Sequence, residues 1–228
     1  MIQDSLKNKK HVWHYDTNIV PNESEIEDIV RESYKFGQSK QKAFAYEIFI
    51  LGPDSERSQR LMNLCDGNRI QVDIDAYGNK GENTHSNIKR RINDGLVHLL
   101  TAPWTLVITP RLTEPNPYIA KLWKESDSYW QHLDPDFCER NRQIPLEVGL
   151  LVNTITGITL DKGLDISYTL CVPKKIEDME DFPYLTFTPI LIVTIGKAKK
   201  YYYERLTEEE ALEYTKPEFE EIFKFVDR

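Results

Sequence analysis

Cysteine is scarce: there are three in 228 residues, Cys65, Cys138 and Cys171, widely spaced and without the paired intervals of a metal-binding knuckle. That excludes a disulfide framework and points to reduced thiols in a cytoplasmic protein. Positive charge is also short. The 29 Lys and Arg stand against 37 Asp and Glu, for a formal charge of −8, the opposite of the basic surface that nucleic acid requires. No run approaches the roughly eighteen apolar residues that suggest a membrane span, and the opening MIQDSLKNKK lacks the apolar core of a signal peptide. The sequence also has no GxGxxG, GxxxxGK[ST], HExxH, GxSxG or CxxC, so the common signatures of dinucleotide, phosphate, zinc and acyl-transfer chemistry are missing. Internal repeats are absent too.

What is present reads as a soluble globular chain, with 40% hydrophobic and 29% charged residues, expected to form one domain over 1–228. Pro145 to Lys162 is long enough for about five helical turns, and its apolar residues circle the whole axis, which predicts a helix buried on nearly all sides. Pro145 suits the first turn and Gly163 the stop, while Gly149 and Gly157 share a face that admits another backbone. The β-rich run Ile166 to Val172 follows at once. Asn22 and Glu25 predict a capping pair for an amphipathic helix with Ile26, Ile29, Val30 and Tyr34 on its apolar side, ending near Gly37.

Tyr46 to Leu51, Trp104 to Thr109 and Ile190 to Ile195 read as strands, apolar nearly throughout and so covered on both faces. Ser55 to Leu64 and Ile88 to Leu100 read as helices, the latter with Ile92, Leu96, Leu99 and Leu100 on one side. The polar stretch 66–87 reads as an excursion, able also to serve for partner docking; 112–142 reads as a lid and 207–228 as an acidic helical arm. The expected architecture is α+β: a mixed, mostly antiparallel central sheet wrapped by helices in a sandwich-like arrangement.

The order of elements resembles the nitroreductase family of FMN-dependent homodimeric oxidoreductases over nearly the whole chain. Lys9-Lys10-His11-Val12-Trp13-His14-Tyr15, followed by Val20-Pro21 and a helix, stands where the family often has Arg-Arg-Ser-x-Arg-x-Phe. Ser39 to Tyr46 is similar to the Ser-x-x-Asn-x-Gln-Pro-Trp pattern before the first strand, with Lys42 and Phe44 at the Asn and Gln. Ala102-Pro103 precedes a strand, Glu147-Val148-Gly149 through Gly163-Leu164 looks like the long dimer-interface helix, and Gly196 closes the last strand.

The resemblance implies a nitroreductase-like homodimer whose protein groups hold FMN while the flavin carries the chemistry, so no catalytic acid, base or nucleophile and no metal is expected. It places Lys9, Lys10, His11 and Trp13 in the first flavin-contact motif, and Ser39, Lys42 and Phe44 at the second. Ile166 and Ser167 lie in the strand beside the ring, and Lys197, Lys199 and Arg205 form a second phosphate cluster. The implied reaction is ping-pong hydride transfer, from NADH or NADPH through flavin N5 to an electron-poor small-molecule acceptor, with no nucleic-acid or membrane partner. The departures at His11, Trp13, Lys42 and Phe44 leave a second expectation: a dimer that keeps the fold, binds no flavin and serves in binding or regulation.

Overall fold

The structure, a computed structural model, describes residues 6, 9–37, 39, 44–65, 96–113, 143–170, 172 and 176–205. Its centre is a four-stranded sheet of β2 (Tyr46–Leu51), β3 (Trp104–Pro110), β5 (Leu191–Gly196) and β4 (Asp165–Thr169), in the order β2-β3-β5-β4 with every neighbouring pair antiparallel. A second, two-stranded sheet pairs β1 (Val12–Tyr15) with β6 (Ala198–Tyr201), also antiparallel. The α+β class expected from the sequence is therefore observed.

Every residue of β3 and β5 is buried. Alternation along these strands sends successive side chains to opposite faces. Leu106, Ile108, Val193 and Ile195 meet α1 (Glu23–Phe36) and α4 (Gln143–Asp161) through Ile26, Ile29, Val148, Leu151, Val152 and Ile155. Val107 and Ile192 face the other way, toward α2 (residues 55–65), α3 (Val97–Thr101) and the connection through the 3-10 turn Ile176–Met179. Their neighbours there are Leu61, Leu96, Leu99, Met179 and Phe182.

The helix ends follow their sequence signals. The Glu25 carboxylate accepts the Asn22 N–H at 2.8 Å, holding the first turn of α1. Gly163, at φ +75°, ends α4, with Leu164 N–H donating to Thr159 O and Gly163 N–H to Leu160 O, the paired bonds of a Schellman stop. Tyr34 and Leu100, assigned to buried faces from the sequence, are both exposed. The Tyr34 ring instead packs on Phe44 at 5.2 Å.

α4 departs from the expectation of burial all round. Just over half (56%) of Ile144–Asp161 is buried, and Leu146, Gly149, Leu150 and Asn153 form an open stripe at helical spacing. Among the described residues, one sheet face and α1 pack on this helix, and none covers the remaining side. A Cβ placed on Gly149 meets no atom of the described residues within 4 Å, so none of them makes the close approach predicted there. By length and composition alone this stretch also passes as a membrane span, as core helices of this kind do. The strand after it, β4, stops at Thr169, short of the Val172 read from the sequence.

Between the two sheets lies a polar seam. Tyr15 O–H donates to Thr194 O at 2.8 Å, Thr194 Oγ1 lies 3.0 Å from His98 Nδ1, and Ser167 Oγ lies 2.9 Å from His11 Nδ1. The His11 and His98 rings meet edge to face at 5.7 Å. Burial, reinforced by the neighbouring His11, holds the His98 imidazole neutral down to about 3, against an ordinary value of 6.5.

The unfolded chain therefore takes up a proton at His98 below pH 6.5 while the folded one does not, so this contribution is full above that value and falls toward pH 3. Urea unfolding at pH 7.5 and pH 5 should show the wild type losing about 2 kcal/mol more than His98→Gln, at about 1.4 kcal/mol per pH unit. Equal losses would show that His98 is not the acid-sensitive group.

Candidate functional site

The N-terminal motif crosses the edge of the sheet at β4, and its side chains part there. Ser167 and Tyr168 are adjacent in β4 and so point to opposite faces. Lys9 lies on the α4 side, its Nζ 4.2 Å from the centre of the Tyr168 ring. His11 lies on the other side, at Ser167. Its pKa is lowered first by burial and then by the like charge of Lys9, so neutral imidazole is the favoured form. Lys10 turns to a third place, its Nζ about 5 Å from the rings of Tyr201 and Tyr203. Trp13 carries Lys200 over its ring at 5.8 Å.

On the Lys9 side, α4 and β4 enclose a cleft of about 280 Å³ lined by Leu6, Lys9, Gly149, Val152, Asn153, Thr156, Tyr168, Leu170 and Leu191. Lys9 is the one cation among these residues. Gly149 and Asn153 also belong to the open stripe of α4, so cleft and stripe are continuous. Leu170, at 74% exposure, stands at the mouth.

The second phosphate cluster read from the sequence is only partly free to act. Lys197 Nζ donates to Gly163 O at 2.7 Å and lies 3.8 Å from Asp165 Oδ2, so its ammonium neutralises the C-terminal end of α4. Lys199 is exposed on β6. Ile166 and Ser167 are buried, so of this part of β4 the outer backbone edge and the Tyr168 ring are what reach the surface. The Arg205 side chain and Lys42 lie outside the described residues, as do the 66–87 excursion, the 207–228 arm and all of the 112–142 lid beyond residue 113.

Ser39 and Phe44 form a separate structure at the opposite edge of the sheet, beside β2. Ser39 O–H donates to Glu147 Oε2 at 2.7 Å and its oxygen accepts the Phe44 N–H at 2.8 Å. Phe44 sits at φ +47°, a left-handed backbone uncommon for a bulky residue, and its carbonyl accepts the Arg111 guanidinium at 3.0 Å. Within one chain, then, the two predicted flavin-contact motifs do not converge. Reading the sequence missed Tyr168, Asn153, Thr156 and Leu170 as cleft residues. No local pattern marks them, because the cleft arises from which face of β4 meets α4.

No family model matches the sequence, and no curated protein does. Solved structures do match. A protein of Staphylococcus epidermidis assigned as an NAD(P)H:FMN oxidoreductase superposes with a TM-score of 0.66 at 14% identity, covering 99% of this chain and 96% of its own. A BluB-like flavoprotein from Clostridium difficile superposes at 0.65 with 12% identity and 99% coverage of each chain. A nitroreductase with bound FMN from Desulfitobacterium hafniense gives 0.58 at 11% identity, covering 90% of this chain and 96% of its own. Likeness at such low identity concerns the path of the backbone, and on that ground the chain has the nitroreductase fold.

Proposed function

We propose that this protein is an FMN-dependent oxidoreductase of the nitroreductase type, working as a homodimer with NADH or NADPH as donor and an electron-poor small molecule as acceptor. The observation that carries this reading is the α4–β4 cleft, with one cation on its rim, an aromatic ring beneath that cation and apolar walls. Support comes from the fold, whose solved examples include an FMN-bound nitroreductase. The residues fit one side of such a cofactor. Lys9 supplies a charge for phosphate, Asn153 supplies an exposed amide, and Val152, Leu170 and Leu191 exclude water. At about 280 Å³ the half-open cleft lies at the lower end of small-molecule pockets, which begin at roughly 300 Å³, so a second wall would complete it.

That wall is assigned to a second copy. The stripe is apolar at Leu146, Gly149 and Leu150, ends in the polar Asn153 and borders the cleft, and its glycine would let the same helix of a second copy approach closely in a self-complementary two-fold contact. Such a contact also offers a route for the Ser39–Phe44 edge of one copy to reach the cleft of the other. FMN, when bound, supplies two-electron hydride chemistry. The chain's part is to place the phosphate, support the ring and keep water out.

A second reading, a fold-keeping dimer without flavin, is favoured by the way His11 and Lys197 are already engaged by Ser167 and by Gly163 and Asp165. Absorbance of the purified protein separates the two. Bands at about 370 and 450 nm, the usual region for oxidised flavin, are expected. A preparation that stays colourless after incubation with FMN would establish the second reading.

Lys9→Ala should raise the FMN dissociation constant about tenfold or more, the usual cost of losing a charge-assisted bond, and leave the oligomer unchanged. An unaltered constant would remove Lys9 from the site. Gly149→Leu should convert the dimer to monomer in size-exclusion chromatography with light scattering, because a branched side chain would hold the two helices apart. A normal dimer would show that this stripe is not the interface.

A further inference from the structure

We propose that Tyr168 is a positioning residue for the phosphate-binding cation: its ring holds the Lys9 ammonium on the rim of the α4–β4 cleft. The proposal rests on the FMN reading above and adds to it a device belonging to this chain. Lys9, Lys10 and His11 are consecutive, yet each is drawn to a different partner: Lys9 to Tyr168, Lys10 to Tyr201 and Tyr203, and His11 to Ser167. Only the first of these placements faces the cleft. A lysine side chain is among those with the most rotamer freedom to lose, so a cation held in place before the anion arrives binds it more tightly than one that must be ordered on binding.

The distance suits the role. An ammonium within about 6 Å of an aromatic centroid is attracted by the negative face of the ring. At 4.2 Å, Lys9 lies well inside that limit. Only part of the ammonium faces the ring, which leaves N–H donors for an anion. Among the described residues, the Tyr168 ring has no other polar or aromatic partner. It is 40% exposed on an edge strand, and its inward neighbours Ile166 and Ser167 complete the packing on either face.

Titrating FMN and riboflavin into the full-length protein by flavin fluorescence tests this, since riboflavin lacks the phosphate. Tyr168→Leu should weaken FMN about threefold to tenfold, the range of a partly exposed cation–π contact, and leave riboflavin unchanged. Tyr168→Phe, which keeps the ring, should bind FMN as the wild type does. In a Lys9→Ala background, Tyr168→Leu should have no further effect, as expected when one residue acts through the other. Equal weakening of both flavins would overturn the proposal, because Tyr168 would then be packing against the flavin ring itself. A Phe variant as damaged as the Leu variant, or an undiminished effect without Lys9, would overturn it as well. A wild-type protein that binds neither flavin would remove the FMN reading and this proposal together, whereas FMN binding unaffected by Tyr168→Leu would remove this proposal alone.

Discussion

β3 and β5 have no solvent face, and the rest of the molecule is arranged around that constraint. Strands buried on both sides can contribute packing but no chemistry, so polar function is displaced to the rims of the sheet. One rim is β2, with the Ser39–Phe44 turn beside it. The other is β4, where the N-terminal segment crosses and where α4 leaves a cleft. The helix that covers the sheet through Val148, Val152 and Ile155 therefore also decides where a ligand can sit, because its uncovered flank is the wall of that cleft.

The β4 rim is held together by one carboxylate. Asp165 Oδ2 accepts the Ala198 N–H and Oδ1 accepts the Tyr201 hydroxyl, each at 2.9 Å, so the strand leaving α4 is tied to the strand leaving the core sheet. Close approach at Gly196 makes that junction possible. A Cβ there would lie 2.6 Å from Pro103 Cδ and 2.9 Å from Tyr15 Cδ1, which no other residue could accept without displacing them. The two small strands thus sit against the large sheet with the His11–Ser167 contact enclosed between them, and Lys9 emerges on the far side.

Much of this fold was legible in the sequence, and the reason is local. Runs such as WTLVIT and ILIVTI are apolar on both faces and announce themselves without knowledge of their partners, and the turn at Gly163 and the pair Asn22–Glu25 are signals carried by a few adjacent residues. β1 and β6 were not legible. VWHY and AKKY are short and mixed, and their pairing joins positions nearly the whole chain apart, as in Val12 opposite Tyr201. The candidate site divides in the same way. Lys9 could be named from its place in a motif, whereas Tyr168 and Asn153 belong to the cleft only because one face of β4 meets one flank of α4. Composition misled at α4 for a related reason: apolar residues all round an axis do not say whether the last side is covered by this chain or by another.

That last side bears on the whole site. Lys9 stands at one edge of the sheet, while Ser39 and Phe44 stand at the other, beyond the body of α4. A ligand touching both groups within one chain would have to reach across α4. Phe44 nevertheless holds a left-handed backbone, with its carbonyl bound by Arg111 and its N–H by Ser39. Strain of that kind persists where surrounding bonds over-determine it, and it is commonly found where a backbone must present itself to a ligand. Two half-sites at opposite edges, with a largely apolar stripe on the exposed flank of α4 between them, fit the proposed reading of a site completed by a second copy. On the proposed reading, the exposed flank of α4 thus serves function as well as assembly: it is where one chain stops being sufficient.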